Sequence, residues 1–279
     1  FDDDLDKVTA HLRTQVSLPT TTKPNSDDWT FNARLLRRAA AKSARKAAGT
    51  DGWAASMLLR LPAIWWDAFA DLWNQVLRTS SLPDRWTEAR VALIPKPTCP
   101  KGGMRPLTIT NVCWRMGSSV IARHIGKQLS ATLTASIMGG LPGRSMGSCL
   151  HRIHAASEGA QAQNADLGIA SQDLSKAFDS VALPHALACA RIYGVKRDIL
   201  WLMWRFYEDL QRIVALQGCC SRGWRRSKAR LIQGCPMSPI LLHLVMAGWA
   251  FHPLEPNVTS VIYLDCLLYT SPRPRDFGA

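Results

Sequence analysis

Two aspartates follow short apolar runs that are typical of β-strands. Residues 167–170 lead toward Asp173, and residues 260–264 lead directly into Asp265. A carboxylate at the end of a strand is held beside a cleft, where a hard divalent cation such as Mg²⁺ can bind through one or two oxygens while it keeps its waters. The sequence therefore predicts that two strands present two acids side by side to metal ions.

The chain between these strands supplies the elements that would position the two acids. Helical patterns cover residues 184–194 and 198–210, two strand-like runs cover residues 212–217 and 229–233, and a further helix begins at Ser238. Strand, helix, strand, strand, helix, strand is the split βαβ succession. It predicts an α+β fold in which the first and last strands are neighbours.

Three motifs in this order give a specific resemblance. They are Asp173 with Phe178, the segment Gln-Gly-Cys-Pro-Met-Ser-Pro at 233–239, and Tyr-Leu-Asp at 263–265. Together they resemble three successive palm motifs of reverse transcriptases, in the non-LTR retrotransposon branch. The resemblance implies an RNA-directed DNA polymerase of a retroelement, with a right-hand fold of fingers and a ferredoxin-like palm. Its implied partners are an RNA template, a DNA primer and dNTP, with an endonuclease domain in the full-length polyprotein.

The resemblance also predicts roles for the palm residues. Asp173 and Asp265 would hold two Mg²⁺ ions, or Mn²⁺ in their place, that activate the primer 3′-hydroxyl and bridge the triphosphate. Phe178 matches the aromatic residue that packs beneath the sugar of the incoming nucleotide and leaves no room for a 2′-hydroxyl, which predicts dNTP over rNTP. Gln233 and Gly234 would lie against the nucleotide.

Two runs around a Gly-rich turn, residues 86–96 and 104–109, predict a β-hairpin. It resembles the fingers hairpin of the same family, and Lys96 and Arg105 match the cations that hold the triphosphate. Cations on the β- and γ-phosphates would bind the nucleotide and neutralise the pyrophosphate leaving group. The alternative is two ordinary hairpin cations with no ligand.

The formal net charge is +13, with a pI near 9.8, as expected of a protein that neutralises phosphates. An Ala-rich helix predicted at 28–48 concentrates basic residues on one face. Like charges there repel by a few tenths of a kcal/mol per pair unless a polyanion neutralises them. A merely solvated face is the alternative. The candidate nucleic-acid contacts are Arg34, Arg38, Lys42 and Arg45 of this helix, and Arg144 in a Gly- and Pro-containing loop as a template contact.

The resemblance breaks after Asp265, where Cys266 replaces the second acid of the family's Tyr-x-Asp-Asp pattern. Pro272 and Pro274 disfavour a central strand there. We therefore predict a non-native tail without the return strand of the hairpin and without a thumb, and we expect the truncated chain to be inactive. The predicted division is an amino-terminal linker at 1–28, fingers and template-contacting helices at 29–165, the palm at 166–265 and the tail at 266–279.

Other classes of site are disfavoured. The eight cysteines show no Cys-x-x-Cys spacing, so neither a zinc ribbon nor a disulfide scaffold is indicated, and a reducing compartment is expected. The most apolar stretch, residues 240–251, is too short to span a bilayer. We predict a nuclear or cytoplasmic protein, with the nucleus favoured in a eukaryote.

Two alternative functions remain. The chain could be a catalytically dead, nucleic-acid-binding remnant of such a polymerase. It could also be an RNA-dependent RNA polymerase, which shares the palm acids. Phe178 disfavours that second alternative, because enzymes that accept ribonucleotides need room or a polar residue near the sugar.

Overall fold

The computed structural model describes residues 1–15, 29–96, 103–216, 219–221, 223–226, 230–250 and 258–273. Within these ranges the chain forms helices and two β-sheets, which confirms the predicted α+β class. The helices are α1 (Asp2–Gln15), α2 (Ala33–Ser43), α3 (Ala55–Leu58), α4 (Ala63–Thr79), α5 (Val112–Thr132), α6 (Met146–Ala162), α7 (Ala177–Ser180), α8 (Leu183–Ile192), α9 (Arg197–Asp209) and α10 (Ser238–Ala250). The strands are β1 (Glu88–Pro95), β2 (Met104–Thr110), β3 (Asp166–Asp173), β4 (Gln211–Leu216), β5 (Cys219–Cys220), β6 (Arg225–Arg226), β7 (Thr259–Tyr263) and β8 (Cys266–Arg273).

Most of the helices pack around one aromatic core. The amphipathic pattern of α4 buries Trp66, Phe69 and Trp73 on a single face, as helical spacing requires. Trp114 of α5 stacks on Phe206 of α9, with ring centroids 3.8 Å apart and planes 7° from parallel. Such pairs add about 0.5–1.5 kcal/mol beyond the area they bury. Both sheets pack against this core.

The first sheet has the strand order β2-β1-β4-β5, with β6 also paired to β4. The predicted hairpin is confirmed, since β1 and β2 pair antiparallel from Ala89 with Thr110 to Pro95 with Met104. Most of its predicted turn, residues 97–102, lies outside the described residues. β4 was expected in the same sheet as the two acids, but it pairs parallel with β1 instead. The single split βαβ sheet is therefore replaced by two sheets.

The second sheet has the order β3-β8-β7. The prediction that the return strand is missing is wrong, because β8 pairs antiparallel with both neighbours, and β3 and β7 are not adjacent. Pro272 is compatible with this arrangement. It lies opposite Leu167 of β3, beyond Thr270, where pairing with β7 ends. A proline that faces only one neighbouring strand leaves the other ladder intact.

The amino-terminal segment is part of the fold rather than a linker. Residues 2–15 form α1, whose Leu5 and Leu12 are buried against the core. Ion pairs join Asp2 to Arg197 and Asp6 to Arg191. Exposed ion pairs contribute little to stability because solvent screens them, so the leucines supply most of the attachment. The remainder of the predicted linker, residues 16–28, lies outside the described residues.

The basic helix is shorter than the predicted range of 28–48, because α2 ends at Ser43. Side chains from β1 and α5 bind the chain that follows: Arg90 and Arg115 donate to two backbone carbonyls there, at 3.2 and 2.8 Å. Gly49 then passes so close to β2 that an added Cβ would lie 2.7 Å from the carbonyl oxygen of Thr110. These contacts fix a turn where helix propensity alone favours continuation.

Candidate active site

Asp173 and Asp265 lie at the same end of the second sheet. Asp173 is directly opposite Cys266 in the β3–β8 register, and the Leu174 N–H donates to the Asp265 carbonyl at 2.9 Å. Asp265 is the second residue of the two-residue turn between β7 and β8. The structure thus brings the two acids together through β8. Asp173 is exposed and Asp265 half-buried, so both are open to solvent ions.

The turn that carries Asp265 is supported by the neighbouring segment 136–139. Its first residue, Leu264, has φ +56°, a left-handed conformation that costs an L-residue about 1–2 kcal/mol. The Ile262 N–H donates to the Ser136 carbonyl, and the Met138 N–H donates to the Ile262 carbonyl, both at 2.8 Å. The segment 136–138 therefore extends the sheet beside β7. The next residue, Gly139, faces Leu264 so closely that an added Cβ would lie 3.1 Å from the Leu264 nitrogen.

Phe178 lies on the short helix α7, just beyond the end of β3. The chain turns between them at Lys176, which has φ +53°. Phe178 is half-buried and packs against the main core, while the neighbouring Asp179 is exposed. The ring is therefore supported from beneath by protein, as a residue that limits the shape of a ligand must be.

A set of hydrogen bonds ties α7 to the segment that precedes Gln233. The Arg230 guanidinium donates from Nη1 to the carbonyls of Asp179 and Ser180, at 2.8 and 3.3 Å. The Leu231 N–H donates to the Val181 carbonyl at 3.4 Å. These bonds place the Gln-Gly segment next to the element that carries Phe178.

The Gln-Gly segment also covers the outer edge of β2. The Thr108 N–H donates to the Gln233 carbonyl at 2.7 Å. Gly234 has φ +109°, and an added Cβ would lie 2.1 Å from the Thr108 carbonyl oxygen and 3.3 Å from Leu107 Cδ1. The close approach that requires this glycine is therefore made to the backbone of β2, whereas the sequence led us to expect it at the nucleotide.

Lys96 and Arg105 lie on one face of the β1–β2 hairpin. Arg105 is opposite Ile94, and the ladder continues to Lys96, whose N–H donates to the Gly103 carbonyl at 2.8 Å. Because side chains alternate between faces along each strand, Lys96, Arg105 and Leu107 share a face. An added Cβ on Gly234 would touch Leu107, so this is the face beside the Gln-Gly segment. Both cations are exposed.

The donor set suits a hard metal ion only in part. Asp173 and Asp265 supply carboxylate oxygens, which Mg²⁺ prefers. Cys266 follows with a thiol, a soft ligand. Among the residues that the structure describes, no three His, Cys, Asp or Glu side chains are grouped to bind a metal. Two carboxylates with water and substrate oxygens as further ligands fit Mg²⁺, because this ion usually keeps several waters.

Arg144, the predicted template contact, binds the protein's own backbone in the structure. Its guanidinium donates four hydrogen bonds to backbone carbonyls at and just beyond the carboxyl end of α5, so that it caps the helix. Burial lowers the pKa of this guanidinium, and the charge of Arg152 adds to the effect. The acceptors are the carbonyl oxygens of Ser130, Leu133, Thr134 and Ile137, at 2.6 to 3.0 Å.

The basic face of α2 is solvent-exposed along its length. Arg34, Arg38 and Lys42 are on the helix, and Arg45, also exposed, lies in the turn after it. Leu36 and Ala40 on the opposite face are buried. The four predicted contacts are thus accessible, although only three share a helix.

Sequence reasoning missed the residues that assemble the site, among them Arg230, Thr108 and Gly139. Arg230 donates from its side chain to main-chain carbonyls, and Thr108 acts through its backbone N–H, so neither contact had a partner that the sequence could reveal. The pair Gly139-Gly140 did carry a signal, because Gly140 has φ +65° and Gly139 makes a close contact. The structure shows that this contact is made with the turn at Leu264.

Comparison with known proteins places these motifs in a family. A family model described as "Reverse transcriptase (RNA-dependent DNA polymerase)" matches residues 94–278. The chain is also 26% identical over 251 residues to the "Retrovirus-related Pol polyprotein from type-1 retrotransposable element R2" of Nasonia vitripennis. That similarity covers 86% of this chain and 22% of the relative. The chain therefore spans about a fifth of the length of this polyprotein.

The helices give no indication of a membrane span. None of those in the described ranges combines the length and apolar character needed to cross a bilayer.

Proposed function

Because the chain belongs to the reverse transcriptase family, we propose that it is the RNA-directed DNA polymerase module of a retroelement. In this proposal it transfers a nucleotide from dNTP to a primer 3′-hydroxyl on an RNA template. The observation that carries the proposal is the position of Asp173 opposite Cys266, one residue from Asp265, at an exposed end of the second sheet. Reverse transcriptases generally use divalent metal ions, and Mg²⁺ is the ion we propose here.

Asp173 and Asp265 would hold the metal ions through their carboxylate oxygens. When bound, such ions lower the pKa of the attacking hydroxyl and stabilise the leaving oxygen. The two side chains act together, so either one alone is insufficient. The turn at Leu264 and the β3–β8 register fix their separation, because both acids are anchored by backbone hydrogen bonds.

The remaining residues would bind and select the nucleotide. Lys96 and Arg105, on one exposed face of the hairpin, would neutralise the triphosphate. Thr108, where the Gln-Gly segment is attached, is three residues from Arg105, which is about 10 Å along a strand. Gln233 and Gly234 would therefore contact the base or sugar end, and Phe178 would exclude a 2′-hydroxyl.

The proposal extends to the organisation of the whole protein. We assign residues 29–165 to the fingers and template-contacting helices, and residues 166–265 to the palm. An endonuclease domain elsewhere in the polyprotein is a further proposal, and so is a nuclear or cytoplasmic location, with the nucleus favoured in a eukaryote. That the tail from Cys266 is non-native stays a prediction, although β8 makes a regular ladder with both neighbours.

The direct test is primer extension on an RNA template with Mg²⁺ and dNTPs. We would compare the chain as it stands with its Cys266→Asp variant, which restores the second acid of the family pattern. Extension should appear in the variant and be abolished when Asp173→Asn is added. Asp166→Asn, at the other end of β3, should leave extension intact and is the matched control. In the active variant, Phe178→Val should admit ribonucleotides.

A second candidate is a binding remnant without catalysis, which the thiol of Cys266 favours. A thiol substitutes poorly for carboxylate oxygen on Mg²⁺. If the Cys266→Asp variant binds RNA–DNA hybrid tightly but extends nothing, the polymerase proposal fails and the remnant stands. If the unaltered chain extends a primer, the second acid is dispensable and the remnant is excluded.

A further inference from the structure

A fully buried imidazole lies behind the turn that carries Asp265. His243 is on α10, and none of its surface is exposed. Neither ring nitrogen makes a hydrogen bond of normal geometry within the described part of the chain. Burial lowers the pKa of His243 to about 4, with the charge of Arg144 adding to the effect and the Pro239 backbone opposing it. The ring is therefore neutral at physiological pH and acts through its shape.

The ring packs against two glycines beside the turn. An added Cβ on Gly140 would lie 3.0 Å from His243 Cε1, and one on Gly139 would lie 3.4 Å from His243 Nε2. The same Cβ on Gly139 would also lie 3.1 Å from both Cγ and the backbone nitrogen of Leu264. The imidazole and the turn therefore meet at Gly139, where an added side chain would force its neighbours to shift.

We propose that His243 is a positioning residue for Asp265. The rigid ring holds Gly139 against Leu264, and this contact keeps Leu264 in its left-handed conformation. Such conformations persist only where the surroundings enforce them. Asp265 is the next residue, so its position relative to Asp173 depends on the same contact. The inference rests on the proposed function only in assigning metal binding to Asp265.

The first test measures the hairpin directly and requires no activity. In the His243→Ala variant, hydrogen exchange should accelerate at the amides of Met138, Ile262 and Leu174, which bind the hairpin and its neighbours. We expect about a tenfold loss of protection there, because a local opening breaks only the interactions around the turn. Amides of the β1–β2 ladder should keep their protection. Unchanged exchange at the hairpin, or an equal increase throughout the chain, would overturn the proposal.

A double-mutant cycle tests the contact from its other side. Gly139→Ala should also loosen the hairpin, because its Cβ would press on Leu264. Combined with His243→Ala, it should do less harm than the sum of the single changes, since the removed ring leaves space for the methyl group. Gly159→Ala, which adds a Cβ in open space on α6, is the matched control. Strict additivity would show that His243 and Gly139 act independently.

A functional measurement separates this inference from the proposed function. In the Cys266→Asp background, His243→Ala should raise the Mg²⁺ concentration for half-maximal extension by about tenfold while the affinity for hybrid is unchanged. A loosened hairpin with an unchanged Mg²⁺ requirement would refute the positioning role. If the background variant extends no primer but exchange changes as expected, the polymerase proposal fails and the effect of His243 on the turn remains.

Discussion

The β1–β2 and β7–β8 hairpins differ in which part of each packs against the rest of the protein. In the β1–β2 hairpin burial increases toward the base, from exposed Met104 and Arg105 to buried Thr108 and Thr110. The β7–β8 hairpin is shorter, and its turn at Leu264 is supported by Gly139 from outside. The described residues at the outer end of the first hairpin are exposed and include its cations (the free end), whereas the turn of the second is supported and carries an acid (the fixed end).

This difference matches the tasks we propose for them. Long, flexible Lys and Arg side chains can bind a triphosphate without exact positions, because their charges attract the phosphates over several ångströms. Metal ions that take part in a reaction need their ligands held to within a fraction of an ångström. The structure accordingly stores backbone strain at the acid-bearing turn. Among the described residues of the β1–β2 hairpin none has a positive φ.

Substitutions at the two hairpin ends should change different kinetic constants, kcat at the fixed end and KM at the free end. This is the largest effect that we expect. In the Cys266→Asp background, Asp265→Asn should lower kcat on the order of a thousandfold, because metal coordination supplies several kcal/mol in the transition state. Arg105→Ala should instead raise KM for dNTP about 10- to 100-fold, the effect of losing a hydrogen bond to a charged group. Steady-state extension with varied dNTP measures both.

Arg85→Ala, a cation outside both hairpins, serves as the control for loss of charge. A large fall in kcat with unchanged KM for Arg105→Ala would show that the free end is as critical for geometry as the fixed one.

Local pattern was sufficient to predict some of these features. Two strand-like runs around a Gly-rich turn predicted the β1–β2 hairpin, and the helical patterns at 184–194 and 198–210 predicted α8 and α9. The two acids were predicted on adjacent strands, whereas the structure places them at the same end of one sheet with β8 between their strands. The sequence could not show that β8 lies between their strands, because Pro272 argues locally against a strand. Pairing with β3 along the whole length of β8 outweighs it.

Long-range backbone contacts were the other part that the sequence could not reveal. Gly234 looked like a ligand contact, and only the structure shows that Thr108 occupies the space where its side chain would be. Arg144 looked like a phosphate contact, yet its donors satisfy the end of α5. In both cases the residue type was informative, but its partner was a main-chain carbonyl without any sequence signature.

The stability of the protein should be most sensitive to an added methyl group at Gly234, where the Gln-Gly segment packs on β2. Gly234→Ala combines a backbone at φ +109° with a clash at 2.1 Å, and we expect a loss of about 3 kcal/mol or more in the free energy of unfolding. Gly52→Ala has φ +70° but nothing within 4 Å of its added Cβ. This control should lose only about 1 kcal/mol. Urea denaturation gives both values, and equal losses would mean that the clash is relieved.

The fixed hairpin should also make stability depend on pH. The pKa of His243 is about 4 in the folded chain against 6.5 ordinarily, so between these values the unfolded chain binds more protons. The free energy of unfolding therefore falls as pH falls below 6.5, by about 2 kcal/mol at pH 5. The measurement is the difference between the protein and its His243→Leu variant at pH 7 and pH 5. A parallel decline in both would assign the effect to other groups.

The smallest effect of a single substitution on binding is expected at the basic face of α2. Its cations would bind a nucleic-acid polymer, whereas the cations at the free hairpin end would bind one nucleotide. Each phosphate contact changes the slope of log affinity against log salt by about 0.9 or less. Replacing Arg34, Arg38 and Lys42 with Gln should therefore flatten the slope for RNA–DNA hybrid by about 2 to 3. Adding Arg45→Gln tests whether a cation beyond the helix contributes.

The matched control for α2 removes three exposed cations that already have acidic partners. Arg191, Arg197 and Arg205 pair with Asp6, Asp2 and Asp209. Neutralising them changes the net charge equally, but paired cations release fewer counterions when a polyanion binds, so the slope should barely move. Fluorescence anisotropy at salt concentrations from about 50 to 300 mM would resolve the difference. If both triple variants flatten the slope alike, the effect follows from net charge and the face of α2 is only solvated. If only the α2 variant does so, that face lies along the nucleic acid.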